Sequence, residues 1–215
     1  NGQNIREVVT QLFEASEQDN DLQLPDNALN DNQANAFKNL SEDQKKEQLR
    51  KARQSVRLLN TSWLEKMAAS PAQLREKLTL FWHGHFACRS NRAPFLQQLN
   101  NIHRKHALGD FKTMLLEVSQ SPAMLQFLNN QQNRKGKPNE NFARELMELF
   151  CLGEGNYSEK DVQELFARER EDEVVYALAG VLEHGEVVRL VVDDLLRRRL
   201  HEVGARPDER AGDAV

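Results

Sequence analysis

Three short stretches concentrate the side chains able to do chemistry. The first is Phe81-Trp82-His83-Gly84-His85-Phe86, where two imidazoles flank a glycine. Imidazole is both a common metal ligand and the side chain whose ordinary titration falls nearest neutral pH. The second is Pro138 to Phe150, which carries Asn139, Glu140, Asn141, Arg144, Glu145 and Glu148 within ten positions of the chain. The third is Asn-Ile-His-Arg-Lys-His, bearing His103 and His106. Carboxylates on one helix flank, joined by a histidine from another helix, are how helical bundles build acid/base and metal sites.

The spacing limits what each stretch can do. At about 100° per residue, Leu74, Leu78, Phe81 and His85 share one helix face, whereas His83 points nearly opposite. A regular helix therefore cannot offer both histidines to one metal, although a helix ending at Gly84 would bring them together. The alternative is a core helix with His85 hydrogen-bonded inside and His83 exposed. For the third stretch, His106 follows Phe95, Leu99 and Ile102 on the apolar face and His103 sits at its edge.

In the second stretch, Asn139 is a good N-cap and Phe142, Leu146, Leu149 and Phe150 form the face expected to be buried. Arg144 has Glu140 and Glu148 four residues away on either side, so its charge is answered locally. Glu145 has no such neighbour. It stands beside Glu148 at the border of the apolar stripe and needs a partner from elsewhere or a raised pKa. His83, His85, His103, Arg89 and Arg104 are the candidates for that partner.

Two readings stay open. One is a structural ion-pair network. The other is a site in which Glu145, Glu148 and His85 act as acid/base groups, with His83, His85, Glu145 and Glu148 holding a divalent metal. The spacing is not the usual Glu-x-x-His of helical metal sites. Asn139, Asn141, Arg144 and His103 are the ligand-binding candidates. The polar loop from Asn129 to Arg134 precedes the Glu-rich helix and has the composition to contact a polar ligand such as a sugar.

Helices must position these groups, because nearly every periodic segment repeats at the helical rather than the alternating spacing. Residues 5–16 form a short amphipathic helix through Ile5, Val8, Val9, Leu12 and Phe13. Residues 17–40 read as a polar linker. Ser41 and Gln44 form a capping box opening a charged helix to about residue 68, with Val56, Leu59, Trp63 and Met67 as its apolar stripe. Ser70-Pro71 and Ser121-Pro122 each set an N-cap before a proline at the first helical position. Helices near 94–107 and 110–119 meet at Gly109, another runs from Asn139 to Leu152 and stops at Gly153, and Ser158 to Asp161 opens one more. The expected architecture is all-α, an irregular bundle of seven to nine helices with the Pro71–Phe86 and Asn139–Leu152 helices in its centre.

Composition narrows the partners. With 215 residues, a formal net charge of -4 and 29% charged residues, there is no electrostatic reason to expect nucleic acid. No run of eighteen apolar residues exists, so no membrane span is expected. Cys88 and Cys151 can make at most one bridge and no zinc site by themselves. There is no phosphate-binding glycine loop and no serine-nucleophile elbow. The chain begins at Asn1 without methionine or leader, which suggests a fragment.

The run from Trp63 to Glu164 resembles the bacterial domain-of-unknown-function family numbered 1800. The resemblance is carried by LTLFWHGHFACRS at 78–90, IHRKHALGDFKTMLLEVSQSPAML at 102–125, the stretch from Leu128 to Tyr157, and SEKDVQE at 158–164. It nominates His83, His85, Asn139, Glu140, Asn141, Arg144, Glu145 and Glu148. It implies a longer, mostly helical protein, often exported, which suggests a periplasmic or secreted location. Members are frequently encoded beside a sulfatase-like family, which implies a partner protein from a neighbouring gene. After Glu164 the text departs from the family pattern, as a frameshift, truncated gene or mis-read frame would produce.

The expected organisation is an N-terminal helix and linker at 1–40, a helical core at 41–167, a non-family helical segment at 168–203, and a disordered tail at 204–215. Three functions compete: a non-enzymatic scaffold acting with a partner protein, a metal-dependent or acid/base enzyme, and a binding module for a polar cell-envelope ligand.

Overall fold

The computed structural model describes residues 4–17, 21–26, 28, 40–129 and 140–162, with the side chains of Glu140, Asn141 and Ala143 excepted. Among these residues all regular structure is helical, and no strand occurs. The helices are α1 (Ile5–Ala15), α2 (Glu42–Ala69), α3 (Gln73–His85), α4 (Ala93–His106), α5 (Phe111–Ser119), α6 (Pro122–Phe127) and α7 (Glu140–Glu145). α7 runs directly into a π-helical segment, Leu146–Cys151.

Local capping sets most of the boundaries. Ser41 and Gln44 form the reciprocal box at the start of α2. Asp110 caps α5 through the Thr113 amide, and Ser121 caps α6 ahead of Pro122. Ser158 and Asp161 bond reciprocally at the next helical start. α3 departs from expectation. It begins at Gln73, while Ser70 terminates α2 and its hydroxyl accepts from the Ala72 amide.

The hub is α4, which packs against α2, α3, α5 and α6. That corrects the expectation that α3 and the Glu-rich helix share the centre. Both nevertheless feed the main core. Phe86, Leu99, Met114, Val118, Met124, Leu146, Met147 and Phe150 are packed together and almost wholly buried, each contributing about 1.5–3 kcal/mol of transfer free energy. A second cluster joins Leu59 and Trp63 of α2 to Ala93 of α4 and to Leu22. Leu22 is held there because its amide donates to the Asn101 side chain at 2.8 Å and its carbonyl accepts from Gln97 at 2.9 Å.

α1 is the exception to burial. Ile5, Val8, Val9, Leu12 and Phe13 are all exposed, Ile5 at 80% and Phe13 at 51%. The expected 168–203 segment and 204–215 tail lie outside the described residues, as does most of the linker.

Candidate functional site

The face of α3 turned to the protein interior is polar. Arg75, Glu76 and Thr79 are buried, whereas Leu74, Leu78 and Phe81, expected on the core face, are only partly so. Glu76 meets Arg104 of α4 through both carboxylate oxygens, Nη2 donating to Oε2 at 3.0 Å. Arg104 Nη2 also donates to Asn100 Oδ1 at 3.4 Å. Arg75 donates from Nε to the Ser16 carbonyl at 2.7 Å and from Nη1 to the Arg104 carbonyl at 2.6 Å. These bonds join α3 both to α4 and to the end of α1. Arg104, a candidate partner for Glu145 on sequence grounds, is instead consumed by Glu76.

The histidines fall into one aromatic cluster with separate contacts. His85 Nε2 donates to the Phe150 carbonyl at 2.9 Å, as the core-helix reading expects. Burial lowers its pKa, and that bond only partly offsets the effect. His83 is not exposed: its ring stands edge-on to Trp63 at 5.0 Å and to His103 at 6.3 Å, and burial lowers its pKa too. The expectation for the third stretch is reversed, because His103 is wholly buried and stacked on Phe86 at 5.7 Å. His106 instead lies 3.1 Å from Glu117. Burial, reinforced by His83 and His85, pushes His103 down to about 3, so its ring is neutral.

The Glu-rich stretch also spends its charges on contacts beyond its own helix. Arg144 donates to both oxygens of Glu159 at 2.9 and 3.0 Å. Glu148 accepts from the Tyr157 hydroxyl at 2.7 Å, which raises the pKa of Tyr157. Glu145 is half-buried, and no cation among the described residues pairs with it. Where the helix turns π, the Leu152 amide donates to the Met147 carbonyl, a step of five residues, at 2.6 Å. The wider turn moves each later side chain backward around the axis. Leu149, expected inside, is consequently 52% exposed, while Met147 and Cys151 are buried.

His83, His85 and Glu148 are thus directed to different neighbours. Among the described residues no group of three or more His, Cys, Asp or Glu is placed to hold a metal ion. Asn139 lies outside the described residues, as does the side chain of Asn141. Cys88 and Cys151 are both free thiols; burial pushes Cys88 up to about 11 and Cys151 higher still.

A cavity of about 220 Å³ opens beside His83. Its walls come from Leu22, α2, the end of α3, α4, and the Cys88–Ser90 connection. Trp63 and Asn100 both line it, and each has a buried N–H group without a hydrogen-bond partner, on Trp63 Nε1 and Asn100 Nδ2. Arg89, another of the cations considered for Glu145, stands at the rim and is exposed. A larger concavity of about 610 Å³ lies along Lys46, Arg50, Arg53 and Arg57, and its described lining residues are all on α2.

The family model described as protein of unknown function (DUF1800) matches residues 1–168. The chain belongs to the DUF1800 family. The match takes in α1 and the linker region, beyond the Trp63–Glu164 stretch on which the resemblance rests most clearly. No curated protein and no solved structure matches the chain.

Within this DUF1800 chain, sequence reasoning misses Glu76, Arg75, Asn100 and Trp63 as site residues. A Glu and an Arg 28 positions apart look like two ordinary surface charges, and only the packing of α3 on α4 pairs them. Trp63 reads from the sequence as core. Its unpartnered N–H carries no sequence signal.

Proposed function

We propose that this DUF1800 chain is a non-enzymatic helical scaffold that acts with a partner protein, in the periplasm or outside the cell. The observation that carries the reading is that polar side chains, three of them from the nominated motifs, are spent on bonds between segments. Glu76 with Arg104, Arg75 with Ser16, His85 with Phe150, Arg144 with Glu159, and Glu148 with Tyr157 each tie one segment of chain to another. Catalytic groups instead need a free valence toward substrate at hydrogen-bond reach. The family's concentration of polar residues is then a set of fasteners holding a rigid frame.

The surface offered to the partner is α1. Its apolar side chains, Ile5, Val8, Val9, Leu12 and Phe13, line a helix that is itself pinned to α3 through the Arg75–Ser16 bonds. An amphipathic helix held by its end, with its apolar face in solvent, fits the helix-in-groove mode of recognition. No helix among the described residues is long and apolar enough to cross a membrane. The partner proposed is the sulfatase-like protein encoded beside family members.

Fractionation of the native host, followed by purification of the chain from each fraction, tests both halves of the reading. The expected result is recovery from the periplasm or medium together with the neighbouring gene product. Recovery from the cytoplasm without that protein would defeat it.

A further inference from the structure

The 220 Å³ cavity beside His83 is lined by Trp63 and Asn100, each with an unpartnered N–H group. Among the described residues that line it, none is Asp or Glu. The orientation of the Asn100 amide is fixed, because its oxygen accepts from Arg104 and its nitrogen is therefore the end left without a partner. The Trp63 indole N–H is likewise unanswered, whereas the Trp82 indole donates to the Ala107 carbonyl at 3.4 Å. Asn100 and Trp63 are 4% and 8% exposed, and a buried donor without an acceptor costs about 1–3 kcal/mol. Arg89 adds a guanidinium at the rim and has no ion pair among the described residues.

Two N–H donors and a guanidinium ask for oxygen acceptors and negative charge. The remaining walls, Leu22, Val56, Leu59 and Leu96, ask for a hydrocarbon body. At about 220 Å³ the cavity is smaller than the ~300–1,000 Å³ pockets that take drug-sized ligands, so the body is short. We propose that this cavity binds a small aliphatic carboxylate, its carboxylate held by Trp63, Asn100 and Arg89 and its chain against Leu59 and Leu96. The site uses none of the α1 surface and stands independently of the scaffold reading.

The probe is sodium butanoate, followed by the indole N–H resonances in a ¹⁵N-resolved spectrum of the full chain. Trp82→Phe assigns the two indole signals. The expected result is a saturable downfield shift of the Trp63 signal, no shift with butylammonium, and binding at least tenfold weaker in the Arg89→Met variant. Arg89 is exposed, so that variant leaves the fold intact, and an unchanged spectrum elsewhere checks it. A Trp63 signal that does not move up to 50-fold excess over about 1 mM, a common affinity for so small a ligand, overturns the proposal. Equal affinity for inorganic phosphate overturns the aliphatic assignment, and an undiminished response in Arg89→Met overturns the role of the guanidinium.

Discussion

Arg104 grips both carboxylate oxygens of Glu76 in the interior, where the two side chains are 1% and 3% exposed. The pair spans the α3–α4 interface, and the Arg104 carbonyl simultaneously accepts from Arg75. Desolvating two charges nearly cancels their attraction, so such a pair adds little net stability over an apolar pair of similar size. Its consequence is specificity, because any other register of α3 on α4 leaves a buried charge alone.

This gives an asymmetric prediction. Glu76→Leu or Arg104→Met alone is expected to cost about 3–5 kcal/mol in urea unfolding, since each leaves a buried partner unanswered. The Glu76→Leu/Arg104→Met double variant is expected to cost much less than the sum. Additive losses would mean that the two side chains act independently.

Acid sensitivity follows from His103. Its folded pKa, about 3, lies below the ordinary value of 6.5, so between those limits the unfolded chain binds the extra proton. Stability is therefore full above about pH 6.5 and falls as the pH drops toward 3, with a slope of at most about 1.4 kcal/mol per pH unit from this group. His83 and His85, also shifted down, add to the fall in the same direction. Unfolding midpoints at pH 7 and pH 5 are expected to lie closer together in His103→Phe than in the parent. The same gap in both would exclude His103 as a source.

The π-helical turn makes a contrast that a regular helix would not. Leu146→Ala is expected to cost about 2–5 kcal/mol, because Leu146 is wholly buried. Leu149→Ala is expected to stay within about 0.5 kcal/mol, as at an ordinary surface position. Comparable losses at the two positions would restore the α-helical register that the sequence periodicity suggests.

What is legible in the sequence is mainly local. Ser41 with Gln44, Ser121 with Pro122, and Ser158 with Asp161 are decided by neighbours within a few residues, and all three read correctly as helix starts. The all-helical class follows from the same periodicity. The polar interior of α3 is not legible, because hydrophobic period alone favours Leu74, Leu78 and Phe81 over Arg75, Glu76 and Thr79. Exchanging His103 for His106 as the buried histidine is an error of one helical turn's edge, fixed only by where α4 meets Phe86. Met147 and Cys151 are buried in the core where the helix turns π, and that turn has no local signature. Arg144 and Glu148 are legible as polar residues following one another along the chain, but their partners Glu159 and Tyr157 lie beyond the helical stretch that carries them.

The scaffold account stands most directly on whether α1 engages a partner. Titration calorimetry of the full chain with a purified sulfatase-like protein, the partner proposed above, is the decisive measurement, run with the parent and with Val9→Glu/Phe13→Glu. Both positions are exposed on α1, so the double variant is expected to keep its helical circular dichroism. The account predicts saturable binding by the parent and at least a hundredfold loss in the variant. No binding by the parent, or equal binding by both, would contradict it.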